Sequence, residues 1–255
     1  MKHTETLRPS ANNLLVLSGC DRIRFPTMVN HKAYADRHGY RYRFDISPRR
    51  DRENVYFHKL SAIQDALVDC EWLFWIDDDA AFTRLDSSFE SIVPELADPS
   101  TVAVFCASPV NPMGGWTTVS SGNFFIRGSA LGHKLIAQAL ATDLQVVEKW
   151  WDEQALGMFT NGDQDALVYL IKTDPEFEAA TRILDYERFN TRPYHFGSDL
   201  SHFLVHFTHL PGTTKEAQMR EFAEKHGLDD FFLPPEAAAQ YASYEAPQRA
   251  MLAAL

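Results

Sequence analysis

The sequence predicts an α/β fold: a mixed, mostly parallel sheet flanked by helices. Short apolar runs alternate with helix-like segments through the first third of the 255-residue chain, which is typical of parallel sheets. One run, at 72–76, is wholly apolar, as expected for a strand covered on both faces. Apolar residues make up 45 % of the sequence, enough for a substantial core.

The first elements follow from local sequence patterns. An apolar strand is predicted at 14–17, ending in a tight turn at Ser18 and Gly19. Pro26 suits the first turn of a helix, and Gly39 ends that helix after His38. The next predicted elements are a strand at 40–46, a helix at 55–68 and the strand at 72–76.

The second half of the chain continues the alternation less regularly. Ser129 is a suitable N-cap for a helix to residue 142, and Asp163 begins a helix after an Asn-Gly turn. Further strands are predicted at 101–106, 124–126, 183–186 and 204–207, and a last helix at 214–226. We expect a flexible segment at 1–13, one domain at 14–215 and a helical extension of that domain at 216–255.

Charge and composition limit the classes of partner. A net charge of −11 argues against nucleic acid as the main partner. The three cysteines have neither zinc spacing nor a disulfide pattern, which favours a reducing compartment. With no signal peptide and no apolar run long enough to span a bilayer, we expect a soluble, cytoplasmic protein. The oligomeric state is left open.

Three carboxylates, Asp77, Asp78 and Asp79, follow the apolar strand at 72–76 directly. Adjacent like charges at a buried strand end repel one another, and a divalent cation would supply the countercharge. Ligands of open α/β sheets bind beyond the carboxyl ends of strands, and oxygen ligands suit Mg²⁺ or Mn²⁺. Alternation puts Asp77 and Asp79 on one side as the metal pair, with Asp78 facing the ribose or the sugar. The alternative is a solvated acidic turn.

A late histidine, His206, lies on the predicted strand at 204–207. It is followed by a small-residue turn that begins at Gly212 and ends in a cation, Lys215. Backbone N–H groups of such a turn, together with the lysine, can hold phosphate oxygens. His206 is then a candidate third metal ligand, and a purely structural histidine is the open alternative.

The remaining candidates each allow a binding and a structural interpretation. Asp163 and Gln164 begin a predicted helix, where acidic residues are favourable to the helix dipole alone. Trp116 follows a Gly pair, and belongs either to a lid over a pocket or to a surface loop. Lys59, before the apolar strand, either contacts the nucleotide or covers the surface. Ser121, Gly122 and Asn123 either line a sugar pocket or form a turn.

The order of these motifs resembles a known family. Between residues 14 and 215 the chain has an early strand ending in small residues, a His-Gly-Tyr segment at 38–40 and the Asp-x-Asp strand end. A Gly-Asn-Phe-x-Ile-Arg strand ending at Arg127, an Asp-Gln-x-Ala-Leu helix and a late His-Phe pair follow. This set resembles the GT-A glycosyltransferases of the galactosyl/mannosyl/xylosyltransferase group, the GMA12/MNN10-like family.

The resemblance implies a Rossmann-like GT-A fold. It also implies transfer, with retention, of a hexose or pentose from a nucleotide diphosphate sugar, UDP-sugars favoured, to an acceptor hydroxyl. It implies Mn²⁺ (or Mg²⁺) held by Asp77, Asp79 and His206, with Asp163 and Gln164 beside the transferred sugar as catalytic residues. The expected donor contacts are Ser18, Gly19, Lys59, Asp78, Gly212 and Lys215. The expected sugar contacts are Trp116, Ser121, Gly122 and Asn123.

Two features depart from the family pattern. His209 stands where the family has Gly, so Gly212 and Lys215 come three residues later and the pyrophosphate loop is longer. The membrane anchor of eukaryotic relatives is also not expected here.

Two rival functions stay open at this point. A HAD-like Mg²⁺-dependent phosphohydrolase also places Asp-x-Asp after an apolar strand, although usually near the start of the fold and with Thr or Val following. Here Ala80 and Ala81 follow, and two predicted strands come first. A non-catalytic nucleotide-sugar binder is the other alternative.

Overall fold

A computed structural model describes residues 13–20, 25, 27–46, 54–208, 212–232, 234 and 236–237. The predicted helix start at Pro26, the 1–12 part of the N-terminal segment, His209 and most of the C-terminal tail lie outside these residues. In chain order the elements are β1 (Leu14–Gly19), α1 (Met28–His38), β2 (Arg41–Asp45), α2 (Phe57–Ala66), β3 (Trp72–Ile76), β4 (Ala80–Phe82), α3 (Phe89–Ile92), β5 (Ala103–Cys106), β6 (Ser120–Arg127), α4 (Ala130–Ala141), α5 (Leu144–Trp150), α6 (Glu153–Leu156), α7 (Asp163–Thr173), α8 (Pro175–Ala180), β7 (Thr181–Leu184), β8 (Leu204–His206) and α9 (Gly212–His226).

The central sheet has the strand order β2-β1-β3-β6-β5-β7. β1 pairs in parallel with β2 and β3, and β5 pairs in parallel with β7. β6 lies between β3 and β5 and is antiparallel to both. Every strand of this sheet except β6 therefore runs in the same direction, which confirms the predicted mixed, mostly parallel sheet. A second, two-stranded sheet pairs β4 with β8 antiparallel.

Alternate residues of the central strands enter two separate cores. Leu15 and Leu17 of β1 pack on one face with α2, α4 and α7, whereas Leu14 and Val16 pack on the other face. The second core is strongly aromatic, with a stacked Tyr34–Phe82 pair whose ring centroids are 3.8 Å apart. Both faces of the sheet are therefore covered, as the uninterrupted apolar run of β3 predicted.

A third apolar cluster seats α9 on the small sheet. Val205 and Phe207 pack against Met219 and Phe222 of α9. This contact matters for the site because it fixes the first turn of α9, which carries Lys215, over the end of β3.

None of the helices in the described residues has the length and apolar character of a membrane span. The division at residue 215 into domain and extension stays a prediction.

Several predicted boundaries are confirmed. α1 ends before Gly39, which has φ +70° and whose N–H donates to the backbone carbonyls of Ala35 and Asp36, as a left-handed C-cap does. The Ser129 side chain accepts a hydrogen bond from the Gly132 N–H at the start of α4. α7 begins at Asp163 as expected.

Two predicted turns are wrong. Ser18 and Gly19 continue β1, because pairing with the end of β2 extends this strand beyond its apolar run. The predicted turn at 212–215 is the first turn of α9. At 121–123 the turn alternative is also wrong, because these residues belong to β6, where Asn123 pairs with Ile76.

Candidate active site

The carboxyl ends of β1, β2 and β3 meet the start of β6 at one edge of the sheet. Asp77 follows β3, and its N–H donates to the carbonyl of Gly122 on β6 at 2.8 Å. The chain then turns into β4, and the Asp79 carbonyl accepts from the N–H of Phe207 at 2.8 Å. The acidic segment is therefore a short rigid connection between the large and the small sheet.

Asp77, Asp79 and His206 converge at this connection. One ligand atom from each residue lies within 4.8 Å of the others. His206 Nε2 is 3.1 Å from Asp79 Oδ1 and 3.9 Å from Asp77 Oδ2. The pairing of β4 with β8 sets this geometry, because Ala80 lies directly opposite His206. The structure thus brings together the three residues that the sequence proposed as metal ligands.

The hydrogen bonds around His206 fit a cation between these side chains. His206 Nδ1 lies 3.1 Å from Asn190 Oδ1, and the tautomer that donates to this amide oxygen leaves Nε2 without a hydrogen. Asp79 Oδ1 is buried and has no hydrogen-bond partner among the residues that the structure describes. A bare Nε2 beside this oxygen places two electron-pair donors 3.1 Å apart. A divalent cation with imidazole and carboxylate ligands would satisfy both atoms.

Gly122 leaves the space that this arrangement needs. A Cβ atom at this position would lie 2.3 Å from His206 Cε1 and 3.0 Å from Asp77 Oδ2. Any residue other than glycine at position 122 would therefore clash with the candidate ligands His206 and Asp77.

Lys215 adds a cation on the other side of Asp79. Its Nζ donates to Asp79 Oδ2 at 2.5 Å from the first turn of α9. Burial raises the pKa of the Asp79 carboxyl, but the neighbouring His206 and Lys215 outweigh burial and hold that pKa well below its usual range. Asp79 is therefore ionised at neutral pH.

Lys59 joins the acidic segment to the start of α7. Its half-buried Nζ lies 3.3 Å from Asp77 Oδ1 and 3.4 Å from Asp163 Oδ2, and it donates to the Ser121 carbonyl at 3.2 Å. Partial burial lowers the pKa of Lys59, yet the two carboxylates outweigh it and the net shift is upward. Lys59 is therefore a charged link between the two acidic motifs.

The two carboxylates at the start of α7 differ in role. Asp165 accepts from the N–H groups of Thr160 and Gly162, so it caps the helix. Asp163 is only 3 % exposed and faces Lys59. Burial raises the pKa of Asp163 to about 6, with Asp77 adding to the shift and Lys59 opposing it. The helix-dipole interpretation therefore accounts for Asp165 but not for Asp163.

Two cavities flank the acidic segment and share Tyr56, Lys59, Asp77, Asp79 and Lys215. The first has a volume of about 330 Å³ and lies over the ends of β1 and β2. Its other lining residues include Gly19, Asp45, Trp75 and Asp78. The second, of about 500 Å³, extends over the start of β6 and of α7. Its other lining residues include Ser108, Trp116, Ser121, Gly122, Met158, Phe159, Asp163, Gln164, Arg192 and His206.

Two of the predicted site residues lie outside the cavity walls. The Ser18 hydroxyl is 2.9 Å from the hydroxyl of Tyr42 instead. Asn123 is fully buried behind its neighbours. The backbone of Gly212 begins α9. Arg127 sits at the far end of β6, stacks over Trp72 and donates to the carbonyls of the 96–99 segment.

Sequence reasoning missed several residues of the site. Asp45 ends β2 beside Gly19, and the rule that ligands bind at the carboxyl ends of parallel strands would have identified it. Asn190 and Arg192 lie in a stretch with no motif, and only the folded chain brings them to His206 and to the second cavity.

Comparison with known proteins finds similarity to glycosyltransferases in sequence and in fold. Residues 23–101 match the galactosyl transferase GMA12/MNN10 family. The matched stretch includes Lys59 and the acidic segment but ends before Asp163 and His206. The chain is 24 % identical over 188 residues to glycosyltransferase 6 of Arabidopsis thaliana, covering 65 % of this chain and 43 % of that protein. It is 26 % identical over 164 residues to galactomannan galactosyltransferase 1 of Cyamopsis tetragonoloba, covering 60 % and 37 %.

The chain thus spans less than half the length of these relatives. Among solved structures, a glycosyltransferase involved in the glycosylation of the major capsid of PBCV-1 matches with a TM-score of 0.61 at 16 % identity. The match covers 82 % of this chain and 98 % of the other, which shows a shared fold. The chain therefore matches the galactosyl transferase GMA12/MNN10 family over residues 23–101, and its fold is the GT-A glycosyltransferase fold that the order of its motifs predicted.

Proposed function

We propose that the protein is a metal-dependent glycosyltransferase that acts on a nucleotide diphosphate sugar, with UDP-sugars favoured, and transfers a hexose or pentose to an acceptor hydroxyl with retention. The observation that carries the proposal is the convergence of Asp77, Asp79 and His206 between two cavities. The similarity to named glycosyltransferases supports it, and one of those relatives is named for galactosyl transfer.

The two cavities suit the two halves of such a donor. The first cavity lies at the carboxyl ends of parallel strands, where nucleotides bind in open α/β sheets, and we assign the nucleoside to it. Asp78, Gly19, Tyr56 and Trp75 would face it there. The diphosphate would then lie along the shared wall, and the sugar would enter the second cavity beside Gln164.

Asp77, Asp79 and His206 would hold the metal through carboxylate oxygens and Nε2. When bound, a divalent ion neutralises the charge of the departing diphosphate. Lys215 contacts the other oxygen of Asp79 and lines both cavities, so it would add positive charge next to that diphosphate. A helix N-terminus also favours phosphate groups, so the start of α9 contributes in the same direction.

Asp163 and Gln164 would act on the sugar in the second cavity. The Gln164 Oε1 accepts from the Ser121 N–H at 3.2 Å, which holds the side chain at the cavity wall. Asp163 is held by Lys59 and carries a carboxylate that can stabilise developing positive charge at the anomeric carbon. These two residues are the candidates for the face of the sugar opposite the leaving diphosphate.

A panel of nucleotide sugars tests the proposal through the release of the nucleoside diphosphate, measured with Mn²⁺ and again with EDTA. We expect at least one donor, and UDP-sugars first, to be consumed only with the metal. Asp79→Asn should reduce turnover by about 100-fold or more, since it removes a charge that positions the leaving group. Asp143→Asn is the matched control, because it changes an exposed helix cap to another good cap.

Three results would contradict the proposal. The first is equal turnover in wild type and Asp79→Asn. The second is release of phosphate from a simple phosphoester in Mg²⁺ without a sugar donor, which would indicate a phosphohydrolase. The third is tight UDP binding with no donor consumed in a long incubation, which would indicate a binding protein.

A further inference from the structure

We propose that Asn190 is a positioning residue for the metal site, because it fixes the tautomer of His206 that directs a bare Nε2 at Asp77 and Asp79. The inference rests on the metal-dependent function proposed above, and it adds a residue that lies outside the stretch matched to the family.

Both ends of the Asn190 amide are bound, which fixes its orientation. The side chain is fully buried, and its Nδ2 donates to the carbonyl of Ala107 at 2.9 Å. Its Oδ1 accepts from Arg192 Nη1 at 2.9 Å. A flipped amide would place Oδ1 against the Ala107 carbonyl and Nδ2 against a guanidinium, so both contacts would become repulsive. The atom that faces His206 is therefore an acceptor.

Arg192 holds Asn190 from a second direction. It is 4 % exposed, and the same Nη1 donates to the Asn190 backbone carbonyl at 2.7 Å. With Arg192 and His206 Nδ1 as donors, both lone pairs of Asn190 Oδ1 are in use.

The tautomer decides what His206 does at Asp79. With hydrogen on Nδ1, Nε2 presents a lone pair to the site and can ligate a cation. With hydrogen on Nε2, the ring would donate to Asp79 Oδ1 at 3.1 Å, and this bond would occupy both ligand atoms. Asn190 therefore decides whether His206 can ligate a cation or only donates a hydrogen bond to Asp79. Partners of this kind affect metal affinity by roughly 10- to 100-fold in other metal sites.

Titration with Mn²⁺ in the presence of UDP, followed by the electron paramagnetic resonance signal of unbound Mn²⁺, tests the inference. Asn190→Ala should weaken Mn²⁺ binding by about 10- to 100-fold. Asn30→Ala is the matched control: Asn30 is also fully buried and also bonds at both amide atoms, but to Phe82 backbone groups. It should lose stability and keep wild-type Mn²⁺ affinity.

A second measurement reads the tautomer directly and needs no metal. Long-range ¹H–¹⁵N spectra at pH 8, with His206→Gln to identify the signal, should show hydrogen on Nδ1 in wild type. Asn190→Asp keeps an acceptor oxygen toward Nδ1 but loses the donor to Ala107, so it should keep the tautomer and most of the Mn²⁺ affinity while losing stability. This variant serves if Asn190→Ala does not fold.

The outcomes separate the two proposals. Wild type that binds no Mn²⁺ would refute the metal-dependent function itself. Wild type that binds Mn²⁺, with equal affinity in Asn190→Ala, would refute only the role of Asn190. A wild-type spectrum with hydrogen on Nε2 would also overturn it.

Discussion

Gly122→Ala is the smallest change that should disable the proposed metal site. Position 122 lies on β6, and an added Cβ would be 2.3 Å from His206 Cε1. Carbon atoms in contact prefer separations of at least about 3.5 Å, so the imidazole would have to retreat by about 1.2 Å. His206 is buried and hydrogen-bonded to Asn190, so it cannot retreat without losing that bond.

The expected effect on stability is modest, whereas the effect on binding is large. Overpacking a buried site costs about 1–3 kcal/mol. Replacing Gly by Ala at a compatible backbone position stabilises by about 0.4–1 kcal/mol through the unfolded chain, which offsets part of this cost. A displacement of about 1 Å can reduce a precisely positioned function about 100-fold. We therefore expect a folded variant with Mn²⁺ affinity reduced by about that factor.

Calorimetric titration of Mn²⁺ with UDP present, together with urea denaturation, measures both quantities. Gly197→Ala is the control, because the nearest heavy atom to its added Cβ is Asp199 Oδ1 at 3.9 Å. It should match wild type in both assays. A Gly122→Ala protein with wild-type Mn²⁺ affinity would refute the steric argument and the placement of His206 beside Gly122.

Two further predictions concern buried charge. Lys59→Met leaves Asp77 and Asp163 without their shared cation, and should lower the free energy of unfolding in urea by about 3 kcal/mol at pH 8. The loss should be smaller at pH 5, because Asp163, whose pKa is about 6 with Lys59 present, is then mostly protonated and leaves little buried negative charge unpaired. Equal losses at both pH values would contradict this. Burial lowers the pKa of His31 to about 4, against a bond to the Ala80 carbonyl that raises it. The unfolded chain then binds the proton more tightly, so wild type should lose up to about 3 kcal/mol of stability as pH falls from about 6.5 to 4. His31→Gln should lack most of this pH dependence in urea denaturation, and an unchanged slope would count against the assignment.

The elements that the sequence predicted are those whose signal is local. The apolar run of β3 and its three carboxylates specify a buried strand end without knowledge of any neighbour. The left-handed Gly39 and the Ser129 cap likewise act within one turn of their helices. The order of these motifs was sufficient to predict the GT-A fold and the convergence of Asp77, Asp79 and His206.

The features that sequence reasoning missed depend on distant partners. β4 has three residues, and it is a strand because β8 pairs with it from more than 120 positions away. The polar residues 121–123 at the start of β6 are compatible with a turn, and only the pairing of β6 with β3 shows that they form a strand. The Asn190 contact with His206 has no sequence signal, since a single amide in an irregular segment is common.

The central claim is that Asp77, Asp79 and His206 together hold a divalent cation. Pulsed electron paramagnetic resonance of Mn²⁺ bound with UDP tests it directly, because the spectrum reports coupling to a ligating histidine nitrogen. We expect one bound Mn²⁺ per chain with such a coupling, and we expect the coupling to disappear in His206→Gln. Bound Mn²⁺ without the nitrogen coupling, or no bound Mn²⁺ at all, would contradict it.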